Sequence, residues 1–178
     1  LKVKKSITKP GMAKNVYENL ISLCQNVDFY TNEEPIKKVR VVDSNSKSIV
    51  RIDYNDSVNP CETSIFMDID LEPYDCIVIS DYDKGYVDKS VISYLTNNFE
   101  GEIFVDSKKQ DLSYYEKCII KINDHEYSLV KYFPKDYQLI VTLGKDGARW
   151  KNKHFAPYPC EEVNDICGAG DTFFASFI

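Results

Sequence analysis

The sequence predicts an α/β layer fold around a mostly parallel sheet, and three observations carry that expectation. Four short runs, residues 76–80, 103–106, 118–122 and 139–143, are apolar and rich in β-branched residues. Strands buried on both faces read this way, whereas a strand with one wet face alternates. A helical spacing through Val87, Val91, Ile92 and Leu95 lies between the first two runs, and alternating strand and helix is the mark of this layer fold. The chain has 178 residues, 43% of them apolar, which suits a single domain over residues 1–178 with one filled core.

From the N-terminus, residues 1–10 are rich in Lys but lack the apolar centre of a signal peptide. Ala13, Val16, Tyr17, Leu20, Leu23 and Cys24 then recur at spacings of three and four, one face of a helix entered through the Pro10-Gly11 turn. Residues 27–30 form a short apolar strand candidate. Residues 37–43 and 48–54 alternate around Ser44-Asn45-Ser46-Lys47, with Val39 and Val41 on one face and Lys38 and Arg40 on the other. That pattern predicts a β-hairpin with a polar, partly basic face, a small sheet over residues 35–55 appended to the main fold. The four apolar strands follow.

Lys and Arg total 22 against 28 Asp and Glu, a formal net charge of −6. This balance argues against a sequence-independent nucleic-acid binder. No apolar stretch is long enough to span a bilayer, so no membrane partner is expected. Six cysteines, at 24, 61, 76, 118, 160 and 167, form no C-x-x-C pair, and His125 and His154 complete no zinc pattern. Cys76 and Cys118 open apolar strands, where a core thiol is the plain reading and a disulfide or ligand the alternative. A reducing, cytoplasmic setting is expected.

In open α/β sheets ligands collect at the carboxyl ends of the strands. Those ends carry Ser80-Asp81, Asp106-Ser107-Lys108, Asn123-Asp124 and Thr142-Leu143-Gly144. Each polar residue alone could simply cap the next helix; together they outline one rim. The sharpest local signal is Asn164-Asp165-Ile166-Cys167-Gly168-Ala169-Gly170-Asp171-Thr172-Phe173-Phe174. Phe173, Phe174 and Phe177 lie at helical spacing, so residues 168–171 form a helix N-terminus whose unpaired N–H groups suit a phosphate. A carboxylate at Asp171 is misplaced beside that anion unless it takes a proton from an attacking hydroxyl. The alternative is a Gly-rich loop with an ordinary first-turn acid.

Here the sequence resembles the ribokinase-like (pfkB) carbohydrate kinases. Val163-Asn164-Asp165 with Gly168-Ala169-Gly170-Asp171 is similar to the family signature, Asn123-Asp124-His125-Glu126 to its Asn-x-x-Glu, and Thr142-Leu143-Gly144-Lys145-Asp146-Gly147 to its Thr-Leu-Gly-x-x-Gly. Pro10-Gly11-Met12-Ala13-Lys14-Asn15-Val16 resembles the N-terminal Gly-Gly-x-x-x-Asn sugar motif. Ser80-Asp81-Tyr82-Asp83-Lys84-Gly85, Val105-Asp106-Ser107-Lys108 and Lys38-Val39-Arg40-Val41 resemble the branch of bacterial heptose 7-phosphate kinases of ADP-heptose synthesis.

The resemblance implies a ribokinase-like three-layer fold and phosphoryl transfer from ATP, with Mg²⁺, to a hydroxyl of a heptose phosphate or related phosphosugar. Asp171 is then the catalytic base, and the amides of Gly168, Ala169 and Gly170 the anion hole. Asn123, Asp124, His125, Glu126, Thr142, Gly144 and Gly147 line the ATP site, with Glu126 and Asn123 reaching the metal through water. Gly11, Asn15, Lys38, Arg40, Asp81 and Lys84 face the sugar, under the hairpin as a lid. A homodimer through that hairpin is the family's expectation. The alternative is a non-catalytic relative or fragment retained for ligand binding or assembly.

The departures from the family pattern are specific. Met12 stands at the second N-terminal glycine, a leading strand with its sugar-binding acid is missing, and the helices expected after residue 178 are missing too. A chain truncated at both ends, either a fragment or a reduced form, is therefore expected. A Rossmann dinucleotide site is a weaker reading, because no G-x-G-x-x-G is present and Gly168-Ala169-Gly170 opens the last helix.

Overall fold

The computed structural model describes residues 4–23, 26–44, 47–151, 153–158 and 167–178. Residues 163–165, which extend the C-terminal signature, and Cys24 and Cys160 lie outside the described residues.

Ala13–Leu23 forms α1, burying Val16 and Leu20. Lys37–Val42 (β1) and Ser48–Tyr54 (β2) pair antiparallel as a separate two-stranded sheet. A single turn, α2 (Ser64–Met67), leads to β3 (Cys76–Asp81). Then come α3 (Lys89–Asn98), β4 (Glu102–Ser107), β5 (Ile119–Asn123), α4 (Asp124–Leu129) and β6 (Gln138–Thr142). Two three-residue strands, β7 (Ala148–Trp150) and β8 (Lys153–Phe155), precede α5 (Ala169–Phe177).

The main sheet has the order β3-β4-β5-β6-β7-β8. The four apolar runs are its parallel strands, and β7 and β8 extend the edge antiparallel. One face packs Phe104, Ile119 and Ile140 against Val16 and Leu20 of α1 and Phe174 and Ala175 of α5. The other packs Ile79, Val105, Ile120, Ile122 and Val141 against Val91, Ile92 and Leu95 of α3. Two helix layers around one mostly parallel sheet make the three-layer arrangement, with Cys118 buried in the core beside α3. Burial, with Glu116 nearby, pushes the Cys118 thiol up to about 12.

Two expectations change. Residues 27–30 make no strand. Their aromatic rings pack on helices, Phe29 stacking on Tyr17 at 4.7 Å and Tyr30 meeting Phe66 edge-on at 5.7 Å. The β7–β8 ribbon was not visible in the sequence, because three-residue strands are too short to show a period. It depends on the turn before it. Gly147 has φ +89°, and a Cβ there would lie 2.0 Å from the carbonyl oxygen of Phe155, so only glycine fits.

Asp88 caps α3, its side chain accepting from the N–H groups of Ser90 and Val91. The Ser90 hydroxyl foremost, aided by these amides, holds the Asp88 carboxyl below its usual 3.8 despite partial burial. A depressed acid stabilises the fold above its unfolded value and loses that stabilisation as pH falls through the folded value. Asp88→Ala should therefore cost about 1 kcal/mol at neutral pH. Urea titrations in a pH series should show the gap to the parent closing only below pH 3.8.

Candidate active site

Side chains on a strand alternate between faces, so each strand end sends neighbouring residues to opposite layers. Ser80 pairs in register with Asp106, Asp106 with Lys121, and Asn123 with Thr142. All share the face packed by α1 and α5. Asp81 and Ser107 pair with each other on the α3 face.

Asp171 occupies the first turn of α5 and is buried. Asn15 of α1 donates its side-chain N–H to Oδ2 at 2.7 Å, and Tyr82, just after β3, donates its hydroxyl to Oδ1 at 2.8 Å. Burial, and then the Asp171 carboxylate, drive the Tyr82 phenol far above its ordinary value, so it remains a donor. Gly168 is the helix N-cap with φ +83°, and a Cβ there would meet the Asn15 amide nitrogen at 2.9 Å. A Cβ on Gly170 would lie 3.1 Å from Lys121 Nζ. The backbone of residues 168–170 thus runs close beside a lysine and an amide.

That lysine sits within a strand whose other residues are largely apolar. Lys121 Nζ donates to Asp106 Oδ2 at 2.9 Å, and both side chains are almost wholly buried. Burial holds the Asp106 carboxyl above its usual value, outweighing Lys121 and Lys108. Lys108 binds Glu126 Oε1 at 2.5 Å and lies 3.6 Å from Asp106 Oδ1. Burial disfavours the Lys108 ammonium, but Asp106 and Glu126 together keep its pKa above the ordinary lysine value. Its Nζ also stands 5.4 Å from the centre of the Tyr82 ring. The loops carrying Asn123, Glu126 and Asp171 therefore meet in one cluster.

Asn123 and Glu126 form a reciprocal cap on α4. The Asn123 side chain accepts from the Glu126 N–H, and Glu126 Oε2 accepts from the Asn123 N–H, both at 2.8 Å. Capping and the rim coincide here. Asp124 and His125 are exposed in the next positions. Thr142 lies beside Asn123 at the end of β6, its hydroxyl 3.5 Å from the Ile122 carbonyl. Gly144, φ +58°, opens the turn that Gly147 closes, with nothing near it.

The substrate candidates divide. Asn15 reaches Asp171. Lys38, on β1, stands 5.8 Å from the centre of the Tyr82 ring. Burial first, then Arg51 and Lys84, lower the Lys38 pKa. Lys84 pairs with Asp56 at 2.7 Å, and Arg40 lies opposite Arg51 on the exposed hairpin. Gly11 has open space around it. Asp81 lies apart from these: it is buried on the α3 face, where Lys109 Nζ at 2.5 Å, the Tyr115 hydroxyl and the Asp83 N–H occupy its carboxylate. Strand alternation sends Asp106, not Asp81, toward the cluster. Four members of the cluster, Tyr82, Asp106, Lys108 and Lys121, lie outside the site residues that the sequence motifs single out. A lysine inside the run 118–122 was the one signal for Lys121.

No group of three or more His, Cys, Asp or Glu side chains suited to a metal occurs among the described residues. The donor set fits a cation that keeps several waters and takes one or two carboxylates plus phosphate oxygens. Both oxygens of Glu126 and both of Asp171 have protein partners, the first in the Asn123 N–H and Lys108, the second in Asn15 and Tyr82.

Lys121→Met should destabilise the fold by up to about 3–5 kcal/mol, because it leaves the buried Asp106 with only its longer, 3.6 Å contact to Lys108. Adding Asp106→Leu should restore much of the loss, as chemical denaturation of the single and double variants would show.

Residues 95–178 match the family model described as pfkB family carbohydrate kinase. The chain is 29% identical over 170 residues to the bifunctional protein HldE of Nitratiruptor sp., 30% over 182 residues to that of Sulfurimonas denitrificans, and 27% over 177 residues to that of Helicobacter hepaticus. These matches cover 82%, 85% and 82% of the chain, which spans only 37%, 38% and 36% of the length of those relatives. Among solved structures, the ribokinase of Thermotoga maritima superposes with a TM-score of 0.52 at 17% identity, over 79% of this chain and 54% of that one. The chain is a relative of the pfkB carbohydrate kinases, and its fold is ribokinase-like.

Proposed function

We propose that the chain carries the phosphotransfer centre of an ATP- and Mg²⁺-dependent sugar kinase acting on a heptose phosphate or a related phosphosugar. The supporting observation is the setting of Asp171: a buried carboxylate in the first turn of α5, held by Asn15 and Tyr82, beside a glycine-lined backbone and two lysines. An incoming hydroxyl would approach a remaining lone pair of the Asp171 carboxylate and give its proton to it. Its oxygen would bond to the γ-phosphorus as the bond to the ADP leaving group breaks. The N–H groups of residues 168–170 and the ammonium groups of Lys108 and Lys121 would face the phosphates. Glu126, with Asn123 behind it, would hold hydrated Mg²⁺, which neutralises phosphate charge when bound. Lys38, Arg40 and Lys84 supply positive charge for an anionic sugar.

With ATP and a heptose 7-phosphate, Asp171→Asn in the full-length protein should lower kcat by about 10²–10⁴-fold while nucleotide binding persists. Glu126→Gln should raise the Mg²⁺ concentration needed for half-maximal turnover. Near-parental kcat in the Asn variant would remove the base assignment.

The hairpin supports self-association into a homodimer. Val39, Val41, Val50 and Ile52 share one face, and Val39, Val50 and Ile52 are each more than two-fifths exposed. Sedimentation of parent and Ile52→Lys should show the variant shifted toward monomer. Unchanged sedimentation would exclude this face.

A further inference from the structure

Tyr82 reaches three parts of the molecule: α5, the hairpin and the end of β4. Its hydroxyl donates to Asp171 Oδ1. Its ring stands beneath Lys38 of the hairpin, at 5.8 Å, and Lys108 of the β4 end, at 5.4 Å. Ammonium groups are drawn to an aromatic face, more strongly where water is scarce. Two of them at one ring also repel each other, and they are unequally anchored. Lys108 is held by Glu126, whereas Lys38 lies among Arg51 and Lys84, with Asp53 and Asp56 as opposing charges. The ring is the aromatic face that Lys38 meets on the side of the cluster.

The carboxylate of Asp171 takes one donor on each oxygen, Asn15 on Oδ2 and Tyr82 on Oδ1. Two donors from two elements fix the plane of the group as well as its place, and a base must present a lone pair along the line of the proton it takes.

We propose that Tyr82 is a positioning residue: its hydroxyl fixes the orientation of the Asp171 carboxylate while its ring seats the hairpin through Lys38, so that lid placement and base orientation depend on one side chain. This rests on the kinase reading, and the two are separable by experiment. Tyr82→Phe keeps the ring and removes the hydroxyl; Tyr82→Leu removes both.

In the full-length protein with ATP and a heptose 7-phosphate, Tyr82→Phe lowers kcat about ten-fold, the worth of one hydrogen bond to a charged group, and leaves KM for the sugar phosphate unchanged. Tyr82→Leu shows the same loss in kcat and in addition raises that KM. Hydrogen exchange read by mass spectrometry on the same proteins gives an answer independent of turnover. Exchange across Lys37–Val42 quickens in the Leu variant and not in the Phe variant. Parental kcat in Tyr82→Phe, with Asp171→Asn inactive, overturns the orienting role alone. Unchanged hairpin exchange in Tyr82→Leu overturns the seating role. Retained turnover in Asp171→Asn, or none in the parent, overturns the kinase reading itself, and the exchange data still decide whether Tyr82 seats the hairpin.

Discussion

The alternation of side chains along four parallel strands governs everything placed around Asp171. A strand cannot rotate one residue without rotating its neighbours, so the apolar residues that must enter the two helix layers also fix the polar residues at the strand ends. Phe104 and Ile119 pack toward α1 and α5; Asp106 and Lys121, two positions further on, must follow them. Val105 packs toward α3, and Ser107 follows it. The helix layer that carries Asn15 and Asp171 therefore receives one set of strand-end groups, and the layer with Tyr115 and Lys109 receives the other.

Charge is organised against the chain's overall acidity. The formal net charge is −6, yet Lys108 and Lys121 converge beside the N-terminus of α5. Each is held by a carboxylate, Lys108 chiefly by Glu126 and Lys121 by Asp106. Fixed lysines cost less to present to an anion than mobile ones, because their side-chain entropy is already lost on folding.

The hairpin is built with two unlike faces. Lys38 looks inward to Tyr82, while Val39, Val50 and Ile52 remain exposed. A two-stranded ribbon is marginal by itself, so its position depends on contacts at its inner face. Tyr82 supplies one of them.

The layer fold, its parallel strands, the helix opened by residues 168–171 and the hairpin are all legible in the sequence, because each depends on a local period or a local turn. The sequence also marked Asp171, Asn123 and Glu126, whose neighbours in the chain carry recognisable spacing. It did not show the β7–β8 ribbon, whose strands are shorter than any readable period, and it placed a strand at residues 27–30 where none forms. The tertiary structure alone decided that Asp106 joins the cluster and Asp81 does not, that Lys121 is a buried partner of Asp106, and that Tyr82 reaches Asp171 across 89 residues. Those are consequences of which face each strand end presents, and that depends on how neighbouring strands and helix layers pack, a fact spread over the whole chain and written in no single stretch of it.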